Sequence, residues 1–369
     1  MKTKILRNIF ISVSVLFTSA QLLSAGTNDG VSNLSKTPLI APQPTFVTFD
    51  PPGGPARDML PSGINPAGAI TGTYVNYIYP NFVYHAFLRA PDGTVTTIDP
   101  PGSTGAWIGG FDFPGQPINP AGAITGTYLD ASGIGHGFLR SPKGIVASFD
   151  PPGSIQTEPQ GINAAGTIAG FYFDASFVFH GFLRASDGTL TTFDVPDAVG
   201  GTVAEGINPA GTIVGEYFDA NFFNHGFVRG SDGTITEFDV PEGVNGTEPS
   251  GINAAGAITG FYYDANFVTH GFLRAKDGAI TTFDPPGSTG CFGTVVGGIN
   301  PGGAITGTYY DVNCFNHGFV RAEDGTFIAP IDVPGSPGAT FAAVINPAGV
   351  ITGTFYDASG ATHGFLRIP

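Results

Sequence analysis

One motif, repeated seven times along the 369 residues, constrains this chain more than any other feature. Every histidine lies in a pentapeptide His-[Ala/Gly]-Phe-[Leu/Val]-Arg, and successive copies are 44 to 51 residues apart. Two more columns accompany the histidines: the asparagine of Ile-Asn-x-x-Gly and an aspartate that follows Phe or Ile. A repeat of this length that runs nearly from end to end predicts one domain of equivalent units.

Each column has seven members. The histidine column is His85, His136, His180, His225, His270, His317 and His363. The asparagine column is Asn65, Asn119, Asn163, Asn208, Asn253, Asn300 and Asn346. The aspartate column is Asp50, Asp99, Asp150, Asp194, Asp239, Asp284 and Asp332.

Composition restricts the repeat to strands and turns. With 56 Gly, 31 Pro and 12% charged residues, the chain is unsuited to long helices, because Gly and Pro both destabilise helix interiors. The hydrophobic fraction of 41% is sufficient for a core, and Thr, Phe, Tyr, Ile and Val favour strands. We therefore expect an all-β fold.

Each repeat contains four strand candidates. In the third repeat they are the approach to residues 161–163, then residues 167–173, 180–185 and 189–194, with tight-turn sequences such as Ser-Asp-Gly between them. Four antiparallel strands in about 45 residues is the period of a β-propeller blade. A β-solenoid is the alternative, but its repeats are shorter and need no ring closure.

The two ends of the repeat region are in complementary phase. The region opens with residues 45–50, which supply a fourth strand alone, and it ends at residues 363–369 after three strands of the last repeat. If the first strand adds to the last sheet, the blade is complete and two free sheet edges are hidden. The sequence therefore predicts a seven-bladed β-propeller of four-stranded antiparallel blades over residues 45–369, closed by the N-terminal strand.

Strand direction sorts the connections onto two faces. The turns between strands one and two and between strands three and four share one face, the turn face, and hardly vary among repeats. The loops between strands two and three and the crossings between blades share the other face, the loop face. Sequence variation concentrates on the loop face, which is typical of binding surfaces.

The repeat resembles that of the HAF-repeat family of bacterial extracellular proteins, in which a His-Ala-Phe-Leu-Trp segment is paired with an Ile-Asn-x-x-Gly segment. Residues 85–88 match His-Ala-Phe-Leu literally, whereas the other six copies have Gly for Ala and all seven have Arg for Trp. The resemblance covers residues 45–369. It implies secretion and a repeat fold, and it assigns no activity to any residue.

The N-terminus has the pattern of a secretory signal peptide over residues 1–25. A basic start is followed by an apolar stretch too short for a membrane span, and small residues suit cleavage after Ala20 or Ala25. Residues 26–44 are typical of a flexible lead-in. Cleavage removes three basic residues and no acidic one, so the net charge changes from −15 to −18. We expect a secreted monomer with no membrane span after cleavage and no nucleic-acid partner, because its charge repels phosphate.

The histidine column begins strand three on the loop face, between two acids. In the third repeat, Asp174 at the end of strand two and Asp194 at the end of strand four flank His180. We interpret each histidine as a structural link, hydrogen-bonded to a carboxylate. The alternatives are a zinc ligand or a general base. Zinc needs three or four converging ligands, neighbouring third strands are too far apart to share an ion, and an active site is normally singular. No metal or cofactor is expected.

Two departures from the repeat are aromatic and lie on the loop face of adjacent blades. The second-to-third loop of the first repeat is three residues longer than any other, and the crossing after Asp99 is the longest. These rings could form an aromatic platform for a sugar or peptide, but they could equally serve to cover a wider seam between two blades. The candidates are Tyr77, Tyr79, Phe82, Trp107, Phe111 and Phe113.

The only two cysteines, Cys291 and Cys314, fall in one crossing and in the second-to-third loop after it. Both segments lie on the loop face, so a disulfide is expected in an exported protein.

These features favour a secreted, non-enzymatic propeller that binds a glycan or a protein on its loop face. The alternative is an extracellular polysaccharide lyase or hydrolase with a pocket at the propeller centre. Glu205 is the weak candidate for its catalytic acid or base, because it is the one acid at the inner-strand position before Gly-Ile-Asn. Glu158 and Glu248, two residues earlier in their repeats, could attract a cation. A structural surface protein is a third possibility.

Overall fold

Alternating apolar and polar residues form strands throughout the part of the chain that the structure describes. The computed structural model describes residues 43–54, 56, 58–78, 81–109, 115–288 and 291–369. All the secondary-structure elements assigned among these residues are β-strands. The described residues contain no helix that is long and apolar enough to cross a membrane. The predicted signal peptide and residues 26–42 of the lead-in lie outside the described residues. Residues 45–369 form one compact unit.

The strands in chain order are β1 (Thr45–Phe49), β2 (Asp58–Ile64), β3 (Ile70–Ile78), β4 (Asn81–Arg89), β5 (Val95–Thr97), β6 (Gly105–Trp107), β7 (Ile124–Leu129), β8 (Gly135–Arg140), β9 (Val146–Phe149), β10 (Gln156–Ile162), β11 (Ile168–Phe173), β12 (Phe179–Arg184), β13 (Leu190–Phe193) and β14 (Gly201–Ile207). They continue with β15 (Ile213–Phe218), β16 (Asn224–Arg229), β17 (Ile235–Phe238), β18 (Thr247–Ile252), β19 (Ile258–Tyr263), β20 (Thr269–Arg274), β21 (Ile280–Phe283), β22 (Thr294–Ile299), β23 (Ile305–Tyr310), β24 (Asn316–Arg321), β25 (Phe327–Ile331), β26 (Thr340–Ile345), β27 (Ile351–Tyr356) and β28 (Thr362–Ile368).

The strands form repeated four-stranded antiparallel sheets. Four sheets are separate, with the orders β2-β3-β4-β5, β18-β19-β20-β21, β22-β23-β24-β25 and β26-β27-β28-β1. The units β6–β9, β10–β13 and β14–β17 merge into one twelve-stranded sheet. Short parallel bridges join them, with Gln156 beside Gly135 and Phe179 beside Gly201. In the third repeat, the last three strands agree with the predicted ranges to within one residue at each end.

The inner strand of the repeat is bulged, and the bulge explains the glycine of the recurring Ile-x-Gly. In β10 the register shifts between Pro159 and Gly161, so Gln160 is the extra residue. Opposite the bulge, a Cβ on Gly170 would lie 2.2 Å from the carbonyl oxygen of Glu158. Only glycine lets the two backbones approach this closely.

The first strand of the domain lies along the last. β1 pairs antiparallel with β28, from Thr45 beside Ile368 to Phe49 beside Gly364. A Cβ on Gly364 would lie 2.5 Å from the Phe49 ring, so the glycine of His-Gly-Phe leaves room for the outer-strand phenylalanine. The first repeat has Ala86 at the glycine position and Ile98 at the phenylalanine position. The one literal His-Ala-Phe copy therefore coincides with a smaller outer-strand side chain.

The asparagine column links successive sheets near the centre. In the third repeat, Oδ1 of Asn163 accepts the N–H groups of Ala165 and Thr167 at 3.0 Å, which holds the turn. Its Nδ2 donates to the carbonyl of Asn208, the equivalent residue of the next repeat, at 3.3 Å. The same inter-repeat bond runs from Asn119 to Asn163, Asn208 to Asn253, Asn300 to Asn346 and Asn346 to Asn65. One asparagine side chain thus pairs with backbone N–H groups of its own turn and with a backbone carbonyl of the next repeat.

Candidate binding face

Each histidine of the column ties three segments together on the loop face. In all seven repeats Nδ1 lies 2.6–2.9 Å from the carboxylate of the aspartate column, at the end of strand four. The imidazole packs on a Tyr or Phe ring of strand two, with centroids 4.9–5.3 Å apart. Within the described residues, no group of three or more His, Cys, Asp or Glu side chains is arranged to hold a metal ion.

A second set of aspartates, the loop aspartates, follows strand two and faces Nε2 of the histidine. The separation is 3.3–3.8 Å in six repeats. The loop aspartates are Asp130, Asp174, Asp219, Asp264, Asp311 and Asp357. Each Oδ1 also accepts backbone N–H groups of its own loop; Asp174 accepts from Ser176 at 2.8 Å and from Val178 at 2.9 Å. The loop is therefore held from within and by the histidine.

Thermal stability is expected to be highest between about pH 4 and pH 6.5. The hydrogen bond to Asp150 raises the pKa of His136 in the folded protein. The stabilisation that comes from this shift is fully present below about pH 6.5 and is lost as the pH rises through the folded-state pKa. The backbone hydrogen bond from Ile134 lowers the pKa of Asp130 in the folded protein. The stabilisation that comes from this shift is fully present above about pH 3.9 and is lost as the pH falls through the folded-state pKa. Calorimetry across this range measures the profile, and His136→Gln should reduce the alkaline loss. A maximum at alkaline pH would contradict the prediction.

The fourth residue of the second-to-third loop has a left-handed backbone conformation. Gly133 and Gly360 occupy this position in the second and last repeats, with φ of 79° and 82°. The third, fourth and fifth repeats have Phe177, Phe222 and Phe267 there, with φ of 61°, 64° and 63°. A bulky residue in this region costs about 1–3 kcal/mol, a cost that often marks a functional position.

The rings of these three phenylalanines face solvent. Phe177, Phe222 and Phe267 are 54%, 59% and 67% exposed. Other large exposed hydrophobic side chains share the loop face: Tyr77, Phe82, Ile134, Val199, Phe223, Val244, Phe292, Val312 and Phe315. Exposed apolar groups concentrated on one face mark an interaction surface.

The basic side chains of the described residues are confined to the turn face, whereas acidic side chains lie on both faces. Every Lys and Arg of the described residues lies at the end of strand three or in the turn after it, on the turn face: Arg89, Arg140, Lys143, Arg184, Arg229, Arg274, Lys276, Arg321 and Arg367. The loop face has the aspartate column, the loop aspartates, Asp197 and Glu242. Arg57 lies outside the described residues. The described part of the loop face is therefore both apolar and acidic.

The predicted aromatic platform is present only in part. Tyr77 and Phe82 face each other across the long β3–β4 hairpin, with ring centroids 5.2 Å apart, and are 51% and 48% exposed. Tyr79, Phe111 and Phe113 lie outside the described residues.

The assignment of Trp107 to an exposed platform is wrong. Trp107 lies in the inner strand β6, paired with Thr127, and is 5% exposed. Its Nε1 donates to Glu158 Oε2 at 2.9 Å, and Thr127 Oγ1 lies 2.9 Å from the same oxygen. Burial raises the pKa of Glu158, against the hydrogen bonds from Gln156, Trp107 and Thr127, which lower it. Trp107 thus links the unit β6–β9 to the unit β10–β13, and Glu158 is its acceptor.

Glu205 does not line the cavity that the described residues form where the inner strands end. A cavity of about 160 Å³ lies where the inner strands end, lined by their isoleucines, prolines and asparagines with Gln116 and Ser250. None of the described residues that line it is ionisable. Glu205 is buried in the bulge between Ala204 and Gly206, before the strand end that reaches the cavity. Glu205 is therefore not among the described residues that line this cavity, and its role as an acid or base stays a prediction.

Cys291 and Cys314 form a disulfide, with Cα atoms 5.6 Å apart. The bond joins a crossing to the next second-to-third loop on the loop face. Cys314 occupies the left-handed position that phenylalanine fills in the three preceding repeats.

No family model matches the chain, and no curated protein matches it in sequence. The chain is similar in fold to virginiamycin B lyase from Staphylococcus aureus, at 14% identity and a TM-score of 0.54, over 89% of this chain and 100% of that one. It is similar in the same way to a prolyl endopeptidase, at 11% identity and a TM-score of 0.54, over 80% of this chain and 46% of that one. The chain thus spans about half the length of the endopeptidase.

These structural neighbours are β-propeller proteins. At such low identities the likeness concerns the fold alone, and the fold of this chain is a β-propeller of repeated four-stranded antiparallel sheets. The resemblance to the HAF-repeat family stays a prediction.

Proposed function

We propose that this chain is an exported, seven-bladed β-propeller, closed by β1, that binds a partner on its loop face without catalysing a reaction. The observation that carries the proposal is the display of Phe177, Phe222 and Phe267, exposed and held in a backbone conformation that glycine fills in other repeats. Backbone strain combined with an exposed ring has no benefit for folding, so we attribute it to binding.

Contacts between the first and last sheets support a closed ring. Besides the β1–β28 pairing, Thr362 Oγ1 donates to the carbonyl of Ala56 at 3.3 Å, and Asn346 Nδ2 donates to the carbonyl of Asn65 at 3.3 Å. The Cys291–Cys314 disulfide supports an oxidising compartment, as does the signal-like N-terminus. We attribute to the histidine column a structural role, because the same paired geometry recurs in every repeat.

The charge of the loop face favours a protein partner with cationic and apolar side chains. The aspartate column and the loop aspartates surround the exposed rings, and the described part of this face has no Lys or Arg. An acidic glycan would be repelled there, whereas a cationic amphipathic segment satisfies both the carboxylates and the rings.

A peptide titration tests this function. The probe is a peptide of alternating Lys and Leu, about 14 residues long, and its counterpart with Glu for Lys is the control. We expect the full chain to bind the Lys peptide and not the Glu peptide, with an affinity that falls as salt rises. The Phe177→Gly/Phe222→Gly/Phe267→Gly variant should bind at least tenfold more weakly. Its melting temperature should not fall, since glycine removes the steric cost of a positive φ.

Gly133 offers a matched reverse variant. Gly133→Phe places a ring on the next repeat and should strengthen peptide binding while lowering the melting temperature. Equal binding of the two peptides, or undiminished binding by the triple glycine variant, would overturn the proposal of a cationic protein partner. Binding of a neutral glycan but of neither peptide would replace the protein partner with a glycan.

A further inference from the structure

Arginines at the end of strand three pack across five of the boundaries between successive four-stranded units, which we call seams. Each guanidinium carbon lies 4.8–5.2 Å from the ring centroid of an outer-strand phenylalanine of the preceding sheet. The pairs are Arg89 on Phe49, Arg184 on Phe149, Arg229 on Phe193, Arg274 on Phe238 and Arg321 on Phe283. The ring covers one face of the guanidinium and fills the space between the outer strands.

The seam between the first and second sheets lacks this ring. Ile98 occupies the phenylalanine position, and the facing arginine is Arg140. A cleft of about 440 Å³ lies at this seam, and both residues line it together with Thr97, Tyr128 and Ser148. We call it the outer cleft. Its volume falls within the range of small-molecule sites.

Tyr128 departs from its column in the same place. The strand-two rings that pack on the histidines of the other repeats are all buried: Tyr74, Tyr172, Tyr217, Tyr262, Tyr309 and Phe355. Tyr128 is only half-buried, and its hydroxyl shares a hydrogen bond of 2.8 Å with Ser148 Oγ on the exposed outer strand. Loss of the phenylalanine thus accompanies an accessible tyrosine ring and two accessible hydroxyls.

The isoleucine alone does not open a seam. Between the sixth and last sheets Ile331 also replaces the phenylalanine, but the facing Arg367 is buried there, whereas Arg140 is only half-buried. The outer strand differs: β25 has five residues, whereas β5, which flanks the outer cleft, has three. A short outer strand and a small side chain occur together only at the seam of the outer cleft.

We propose that the outer cleft binds an acidic saccharide, with the carboxylate of a uronic acid on Arg140 and the sugar ring against Tyr128. The guanidinium offers a planar pair of donors that matches a carboxylate, and Thr97 and Ser148 supply hydroxyl partners for the sugar. The aromatic ring provides the apolar face that a pyranose packs on. This site is separate from the loop face and does not depend on a partner there.

Asp99 is the one acidic residue among the described residues that line the outer cleft. It lies at the opposite end of the cleft from Arg140, so it does not repel the ligand carboxylate that Arg140 would bind. Asp99 follows the outer strand at the loop-face end, whereas Arg140 ends strand three at the turn-face end. The Asp99 oxygens already accept from His85 Nδ1 at 2.6 Å and from the Ala86 N–H at 2.7 Å.

Calorimetric titration of the full chain with D-glucuronate tests the proposal, with D-glucose as the neutral control. We expect glucuronate to bind at least tenfold more tightly than glucose. The Ala86→Gly/Ile98→Phe variant restores the ring found at five other seams together with the glycine that makes room for it. It should weaken glucuronate binding at least tenfold, and Arg140→Gln should do the same. The matched control is Arg184→Gln, at a sealed seam, which should leave the affinity unchanged.

Three results would overturn the proposal: no glucuronate binding, equal affinity for glucose, or undiminished binding by Arg140→Gln. If the Ala86→Gly/Ile98→Phe variant fails to fold, Arg140→Gln still decides the outcome, because the Arg140 side chain lies at the edge of the cleft. The triple glycine variant of the loop face should bind glucuronate normally, so failure of one site leaves the other testable.

Discussion

Removal of residues 1–50 is expected to leave a chain that does not fold stably. β1 contributes five residue pairs with β28, and Phe49 packs between Phe87 and Arg89. Loss of a buried phenylalanine alone costs about 3–5 kcal/mol. Each lost backbone hydrogen bond adds about 0.5–1.5 kcal/mol. The sum is comparable with the whole stability of an ordinary domain, about 5–15 kcal/mol.

The exposed edge adds a second consequence. Without β1, the N–H and C=O groups of β28 that face β1 along Gly364–Ile368 lose their partners, and an unpaired edge strand templates aggregation. Urea unfolding and size-exclusion chromatography measure both effects. A chain lacking only residues 1–42 is the matched control and should keep full stability, because it retains β1. A synthetic peptide of residues 43–52 should restore solubility by adding a strand to the free edge.

Retention of the parent melting temperature by the chain without residues 1–50 would contradict this prediction. It would also remove the support for closure of the ring by β1. Phe49→Ala gives an intermediate test, with an expected loss of about 3–5 kcal/mol in the free energy of unfolding.

The regular part of the fold could be predicted because it depends on local pattern. Strand alternation and tight-turn residues place the last three strands of the third repeat within one residue at each end. The spacing of Asp174, His180 and Asp194 likewise follows from strand direction, since the ends of antiparallel strands meet at one edge. The disulfide follows from the same argument applied to two loops.

What could not be predicted depends on contacts between sheets. The register of one repeat does not show which residue of the next repeat faces it, so neither the bond from Trp107 to Glu158 nor the stack of Arg184 on Phe149 was foreseen. The strained phenylalanines could have been recognised in the sequence. The loop of the second repeat reads Asp-Ala-Ser-Gly, whereas that of the third reads Asp-Ala-Ser-Phe. An alignment of the loops alone would have shown Phe177 at a glycine position.

Trp107→Ala is expected to lower the free energy of unfolding by about 3–5 kcal/mol, because it empties a buried site between two sheets. Trp107→Phe separates packing from hydrogen bonding. It keeps most of the ring but removes the Nε1 donor from the buried Glu158 carboxyl, and we expect a loss of about 1–3 kcal/mol. Val312→Ala, at a loop position that is 73% exposed, is the control and should change stability by less than about 0.5 kcal/mol.

The chain itself supplies the variant that isolates the Trp107–Glu158 pair. At the position of Glu158 the fourth repeat has Val203 and the sixth has Val295, so valine is compatible with the inner strand. In the Glu158→Val background the indole donor has no carboxylate to satisfy, and Trp107→Phe should cost at least 1 kcal/mol less than it does in the parent chain. Urea unfolding of the four chains of this cycle gives the coupling energy. A coupling near zero would show that Trp107 stabilises the seam by packing alone, and the carboxylate would then need another reason for its burial.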